Sequence, residues 1–389
     1  MMIWKGNSVM TKRILSSMLC ISLVLLFSCP VCAQPNGDTV SLSASAISAQ
    51  SAVLIDAHDG TVLFEKNART KMGMASTTKI MTALVVADSC DLNVSVEIDA
   101  RAVGVEGSSI YLTAGERLTV EQLLYALLLA SANDAAVALA LHVCESVEAF
   151  ADKMNEKANA LGLTDTRFVN PHGLYDEAHY TTAYDLAIIS KEALKNETVK
   201  KIASTYKTTI PLCNGEGTRV LVNHNKMLKL YDGAIGVKTG FTKKTGRTLV
   251  SAAERDGLRL IAVTLNAPSD WNDHTLMLDY GFENYTRMTF FKAGEFRYAL
   301  GICGGKEEYA VLTNSNPIEL TLKKEHGKEN HTVETCSRFI CAPINAEAEL
   351  GRVVFECDGQ TVSSPLIAVC DIPMQEEKSF FEKIFGASK

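Results

Sequence analysis

The chain has 389 residues, 47% hydrophobic and 21% charged, with a formal net charge of -7. That length favours two or three domains, and the composition supports a large buried core. The mild acidity, with no basic stripe or nucleic-acid motif, argues against a nucleic-acid partner. Eleven cysteines are present, eight of them after Ala33 and five of those between Cys303 and Cys370. In an oxidising compartment some could pair, but spacing alone does not give the pairing.

Residues 1–33 read as a secretory signal peptide. Lys12 and Arg13 give a positive start, residues 14–27 are an apolar run interrupted by serines, and Val31-Cys32-Ala33 offers small residues for cleavage. The run is short for a membrane span, and no later stretch is long and apolar enough for one. Residues 34–47, rich in Ser and Ala, read as a linker.

Residues 51–65 alternate around Val53, Ile55, Val62 and Phe64, with an Asp59-Gly60 turn, and predict a β-hairpin. The apolar run 80–87 follows Ser76-Thr77-Thr78 and predicts a capped helix. Helices are also predicted over 120–130, 135–143, 149–161 and 182–194. From 203 onward the pattern changes to strands at 205–211, 234–238, 247–252 and 258–265, and then returns to helix over 276–285. Strands at both ends of a helical middle predict one sheet packed by inserted helices over residues 48–287. After about residue 288 only short strands are predicted, so residues 288–372 read as a separate all-β domain, followed by a tail over 373–389.

Three short motifs carry the chemistry. In Ser76-Thr77-Thr78-Lys79, serine and lysine stand three apart and share one face if a helix starts there. The hydroxyl needs a base, and Lys79 can serve if burial and a second cation lower its pKa. Ser131-Ala132-Asn133 interrupts two helical runs. Its hydroxyl can relay a proton, and its amide can hold a lysine and a substrate carbonyl. Lys238-Thr239-Gly240 ends a strand, where a cation and a hydroxyl suit a substrate carboxylate. Two decoys occur. Ser204-Thr205-Tyr206-Lys207 reads as a strand that would point Ser204 and Lys207 to opposite faces, and Lys244-Thr245-Gly246 reads as a hairpin connection. His172 and His179 flank a loop, but a third metal ligand at recognisable spacing is missing, so they read as hydrogen-bonded loop histidines.

Each motif is weak alone, and the ordered set is strong. The chain resembles the low-molecular-mass penicillin-binding proteins, the serine-type D-alanyl-D-alanine carboxypeptidases of peptidase family S11. The resemblance rests on Asp59-Gly60-Thr61-Val62-Leu63, Asn170-Pro171-His172-Gly173-Leu174, residues 179–186, and the three motifs with their flanks at 75–84, 131–136 and 236–241. It implies an α/β catalytic domain of the serine β-lactamase/transpeptidase type, an antiparallel sheet with flanking helices and a helical subdomain, plus a small C-terminal all-β domain. It also implies that Ser76 attacks the carbonyl between two D-alanines and that Lys79 is the base, with Ser131 and Asn133 completing the network. Lys238, Thr239 and Gly240 would bind substrate, and the backbone N–H groups of Ser76 and Phe241 would form the oxyanion hole. The expected partners are a peptidoglycan stem peptide ending in D-Ala-D-Ala and β-lactams as covalent inhibitors. No cofactor and no metal is called for.

Export to the outer face of the cytoplasmic membrane or the cell-wall space is expected. Phe380, Phe381, Ile384 and Phe385 fall on one helical face of the tail, which suggests contact with a membrane surface. The alternatives are a DD-endopeptidase, a β-lactamase and a penicillin-sensing binding module. The extra β-region of some 90 residues counts against the lactamase, and the lack of an attached kinase or span counts against the sensor.

Overall fold

A computed structural model of the chain describes residues 41–212 and 217–376. The signal peptide, the first part of the linker and the apolar tail residues lie outside the described residues. The rest of the expected linker is mostly exposed but is anchored at two points: Ile47 is 1% exposed and sits in a core cluster, with Leu42 against it.

The hairpin is β1 (Ser51–Asp56) and β2 (Val62–Lys66). The helical subdomain follows: α1 (Lys79–Ser89), the short pair β3 (Ser95–Glu97) and β4 (Arg117–Thr119), α2 (Val120–Leu129), α3 (Asn133–Val143), α4 (Val147–Ala160), α5 (Ala183–Ala193) and α6 (Glu197–Ser204). Side chains start these helices by satisfying free N–H groups. Thr119 and Gln122 form a reciprocal capping box on α2, while Ser146, Thr182 and Asn196 cap α4, α5 and α6. A second hairpin, β5 (Lys207–Pro211) and β6 (Thr218–Val222), and the single turn α7 (Met227–Leu230) lead back to the sheet. That sheet is completed by β7 (Ala234–Thr242), β8 (Gly246–Arg255) and β9 (Leu258–Leu265), and α8 (Asp270–Asn284) covers it.

The five strands are antiparallel in the order β2-β1-β9-β8-β7. The interior strand β1 is buried throughout, because both faces of the sheet are covered. Val53 and Ile55 pack against the helical subdomain, and Ala52 and Leu54 pack on the α8 side with Met277 and Leu278. The result is three layers, with β7 as an open edge.

The C-terminal region is all β: β10 (Tyr285–Phe291), β11 (Tyr298–Cys303), β12 (Tyr309–Asn314), β13 (Ile318–Lys323), β14 (Asn330–Thr335), β15 (Phe339–Cys341), β16 (Glu349–Cys357) and β17 (Gln360–Ala368). Six of them form a sheet in the order β14-β16-β17-β12-β11-β15, and β10 pairs with β13. Phe296, Leu300, Leu312, Val353, Phe355 and Leu366 fill its core. Arg287 ties the two regions together, reaching Asp56 at 3.3 Å and Glu319 at 3.3 Å.

Candidate active site

Ser76 lies in a 3-10 turn, Ala75–Thr78, that runs directly into α1. The turn is held by its own threonines. Thr77 Oγ1 donates to the Met74 carbonyl at 2.5 Å, and Thr78 Oγ1 to the Ala75 carbonyl at 2.7 Å. Ala75 carries a φ of 48°, a left-handed conformation that costs a non-glycine residue energy and is kept only where the surroundings fix it. Every residue of α1 from Lys79 to Val86 is buried, so the helix is the apolar pillar of the subdomain.

Lys79 is therefore at the dry head of a buried helix, with 0% exposure. Its Nζ is 3.0 Å from Ser76 Oγ, 2.7 Å from Asn133 Oδ1 and 2.6 Å from the His172 carbonyl. Burial drives its pKa well below 10.5, the cation of Lys238 lowers it further, and Asp134 pulls the other way. Three acceptors suit an ammonium, and a neutral amine can keep two while turning its lone pair to Ser76.

Asn133 begins α3 after the break that Ser131 makes with a φ of 59°. Its Nδ2 donates to the Glu106 carbonyl at 2.6 Å and its backbone N–H to the Ser108 carbonyl at 2.7 Å. One amide hydrogen is left over. Ser131 is buried and lines the same cleft as Ser76, but among the described residues the bonds of Lys79 run to Asn133 and His172 rather than to Ser131.

The edge strand β7 brings the third motif. Lys238 is 1% exposed, donates to the Thr239 carbonyl at 2.9 Å and is pulled down to about 7 by burial. Thr239, Gly240 and Phe241 line a cleft of about 760 Å³ that contains Ser76. Gly240 is pressed against the nucleophile turn, since a Cβ there would stand 2.9 Å from the Ser76 nitrogen and 2.4 Å from Thr248 Oγ1. The strand edge thus lies alongside the Ser76 backbone, and alternate N–H groups of an edge strand face outward.

Neither decoy forms a site of its own, although Tyr206 of the first lines the cleft. Ser204 ends α6 and Lys207 opens β5, so the pair is split between a helix and a strand rather than lying in one strand. Residues 243–245 form the β7–β8 turn, where Thr242 and Gly246 are partners.

Several residues escaped the sequence reading as site parts. The His172 carbonyl is the third partner of Lys79. His179 Nε2 meets Thr78 Oγ1 at 2.7 Å, and its Nδ1 accepts from the Val169 N–H at 3.1 Å, so the loop is bonded to the Ser-x-x-Lys turn. Burial lowers His172 to about 3 and His179 to about 4. Buried Asp134 accepts from Ser109 Oγ at 2.6 Å and Leu112 N–H at 3.0 Å, fixing the loop across the cleft. The far wall holds Arg247, paired with Asp270 at 2.8 Å beside Trp271, and Tyr206 with Lys229 over its ring. Asn170 to Leu174, His179 and Asp134 stand in the segments that carry the family resemblance, but their bonds to the site depend on contacts that the fold brings together.

A serine held against a buried lysine, with an asparagine on that lysine and a strand edge closing the cleft, marks the class of serine hydrolases that act by acyl transfer. The chain belongs to the peptidase S11 family, the D-alanyl-D-alanine carboxypeptidases, which match it over residues 38–269, and residues 285–373 match the penicillin-binding protein 5 C-terminal domain. It is 36% identical over 387 residues to the D-alanyl-D-alanine carboxypeptidase DacF of Bacillus subtilis (strain 168), covering 96% of this chain and 98% of that one. It is 32% identical over 362 residues to DacA of Escherichia coli (strain K12), covering 88% and 87%. The fold matches penicillin binding protein 5 from Haemophilus influenzae with a TM-score of 0.73 at 28% identity, over 86% of this chain and 99% of the other. Among the described residues no helix is long and apolar enough to cross a membrane.

Proposed function

We infer that the chain removes the terminal D-alanine from peptidoglycan stem peptides through an ester on Ser76, and that β-lactams acylate the same serine. The observation that carries this is the buried Lys79 amine 3.0 Å from Ser76 Oγ, between two other acceptors. A neutral Lys79 gives its two N–H groups to Asn133 Oδ1 and the His172 carbonyl and takes the proton of Ser76. Ser76 Oγ then bonds to the carbonyl carbon between the two D-alanines. The backbone N–H groups of Ser76 and Phe241 face the developing oxyanion. The spare hydrogen of Asn133 meets the acyl side of the peptide, and Lys238 and Thr239 hold the terminal carboxylate. The proton taken by Lys79 passes to the leaving D-alanine amine, with Ser131 at the cleft wall as relay. Water then hydrolyses the ester, with Lys79 again as base.

The chain acts outside the cytoplasmic membrane, where its substrate is, and the signal sequence of residues 1–33 takes it there. Contact of the tail with the membrane surface would hold it close to that substrate. A β-lactamase needs a group to drive fast deacylation. One Glu-x-x-x-Asn spacing does lie between the second and third motifs, Glu192 to Asn196. Glu192 is paired with Lys195 at 2.7 Å, Asn196 caps α6, and neither lines the cleft.

The test offers the protein three substrates: a diacyl-Lys-D-Ala-D-Ala peptide, a cross-linked peptide dimer and benzylpenicillin. Release of D-alanine from the first, with slow clearance of penicillin, is the expected result. Cleavage of the dimer alone would make it an endopeptidase, rapid penicillin turnover a lactamase, and acylation without peptide turnover a sensor.

A further inference from the structure

Two exposed thiols of the C-terminal sheet face each other across neighbouring strands. β11 and β15 are parallel, and their register pairs Gly301 with Phe339, Ile302 with Ile340 and Cys303 with Cys341. The register continues past the cysteines, where the Ala342 N–H donates to the Cys303 carbonyl at 3.0 Å. Ile302 and Ile340 both turn inward onto the core of this sheet. Side chains alternate along a strand, so Cys303 and Cys341 both turn outward, and both are exposed. Neighbouring strands lie about 4.8 Å apart, inside the roughly 4.4–6.8 Å Cα window of a disulfide. The other cysteines of the region are placed differently. Cys357 is buried, and Cys336 is bonded through its N–H to Leu350, beside β14 and β16 at the opposite end of the strand order.

We propose that Cys303 and Cys341 form a disulfide that staples the edge strand β15 to β11. The strand is only three residues long and has a partner on one side only, the kind of edge that frays or recruits another chain unless it is tied down. The bond forms by exchange with a disulfide oxidant, either a low-molecular-mass disulfide or an oxidoreductase. The thiolate of one cysteine attacks that disulfide and releases one thiol. The other cysteine then attacks the mixed disulfide, forming the Cys303–Cys341 bond and releasing the second thiol. Two electrons pass to the oxidant and two protons leave the cysteines. The cleft lies in the other region of the chain, so the staple governs the stability of the β-domain and leaves acylation alone.

Trypsin makes the test unambiguous, because cleavage after Arg297, Lys306, Arg338 and Arg352 puts Cys303 in residues 298–306 and Cys341 in residues 339–352, with no other cysteine in either. The full chain is equilibrated with oxidised and reduced glutathione, quenched in acid, alkylated and digested without reductant. The expected result is a single species joining those two peptides, the loss of two alkylatable thiols, and their return with dithiothreitol. In the Cys341→Ser protein, Cys303 should be found only alkylated or carrying glutathione. Reduction should lower the melting temperature of the β-domain with no change in the rate of penicillin acylation. The proposal is overturned if the two peptides are modified separately in the same proportion as exposed Cys370, if Cys303 is joined to another cysteine, or if reduction leaves the melting unchanged.

Discussion

Lys238 makes Lys79 harder to charge: both amines are buried in one dry interior, and the repulsion of Lys238 adds to the desolvation that already holds Lys79 well below its ordinary 10.5. A base in a Ser-x-x-Lys pair has to be neutral when substrate arrives, so this second cation has a chemical effect beyond the carboxylate binding proposed for it.

The pH dependence follows from it. In the free enzyme, kcat/KM for D-alanine release should rise with pH as Lys79 loses its proton, with the rise below the ordinary lysine range. Removing the neighbouring cation in Lys238→Met takes away one cause of the lowering. The ascending limb should then move to higher pH, and KM should increase. An unmoved limb would mean that Lys79 is not the titrating base.

Asn133→Asp tests the same amine from the other side. It puts a carboxylate where an amide oxygen now stands 2.7 Å from Lys79 Nζ. The ammonium form gains, and acylation by penicillin at neutral pH should fall by about 10²-fold or more, recovering in part as pH is raised. Equal loss at every pH would show that Asn133 acts on substrate alone.

Gly173 is the position where the loop meets the nucleophile turn. Its φ is +85°, and a Cβ there would lie 1.9 Å from the Ala75 carbonyl oxygen, a backbone atom that cannot swing away. Gly104 has a similar φ of +73° with nothing near it. Gly104→Ala should cost about 1–2 kcal/mol from backbone strain. Gly173→Ala should add roughly 1–3 kcal/mol of overpacking and slow acylation as the turn shifts. Denaturant melts of the two proteins check this, and equal costs would contradict it.

His172 and His179 are held neutral in the fold, at about 3 and about 4 against 6.5. The unfolded chain therefore binds more protons below 6.5, so their contribution is full above that pH and is lost as pH falls towards the folded values. Between pH 7 and 5 each should remove about 1–2 kcal/mol of stability. His179→Gln should flatten this loss by about one such increment, and an unchanged acid slope would contradict the assignment.

What the sequence discloses follows from how far apart the interacting groups are. Ser76 with Lys79, Ser131 with Asn133, and Lys238 through Phe241 are each local, so their order along the chain was readable, and the structure gathers them around one cleft or just behind its walls. The bonds of Asp134 and the contact of Gly173 with Ala75 were hidden, because each gains its meaning only from a partner brought in by the fold. The helix α6 was missed because residues 197–204 are short and mostly polar, with Val199, Ile202 and Ala203 as their only buried residues. Without it the second Ser-x-x-Lys match read as a strand. Strands such as β14, largely exposed and polar, carry little alternation to detect. The segment anchored at Ile47 looked like a linker because small polar residues surround that apolar residue.

The most direct test of the central claim locates the ester. The protein is incubated with benzylpenicillin, quenched in acid and digested, and the adduct is mapped. The prediction is one penicilloyl group on Ser76, in the tryptic peptide of residues 72–79, with both the adduct and D-alanine release absent from a folded Ser76→Ala protein. An adduct or continued release in that variant would contradict the account and place the nucleophile elsewhere.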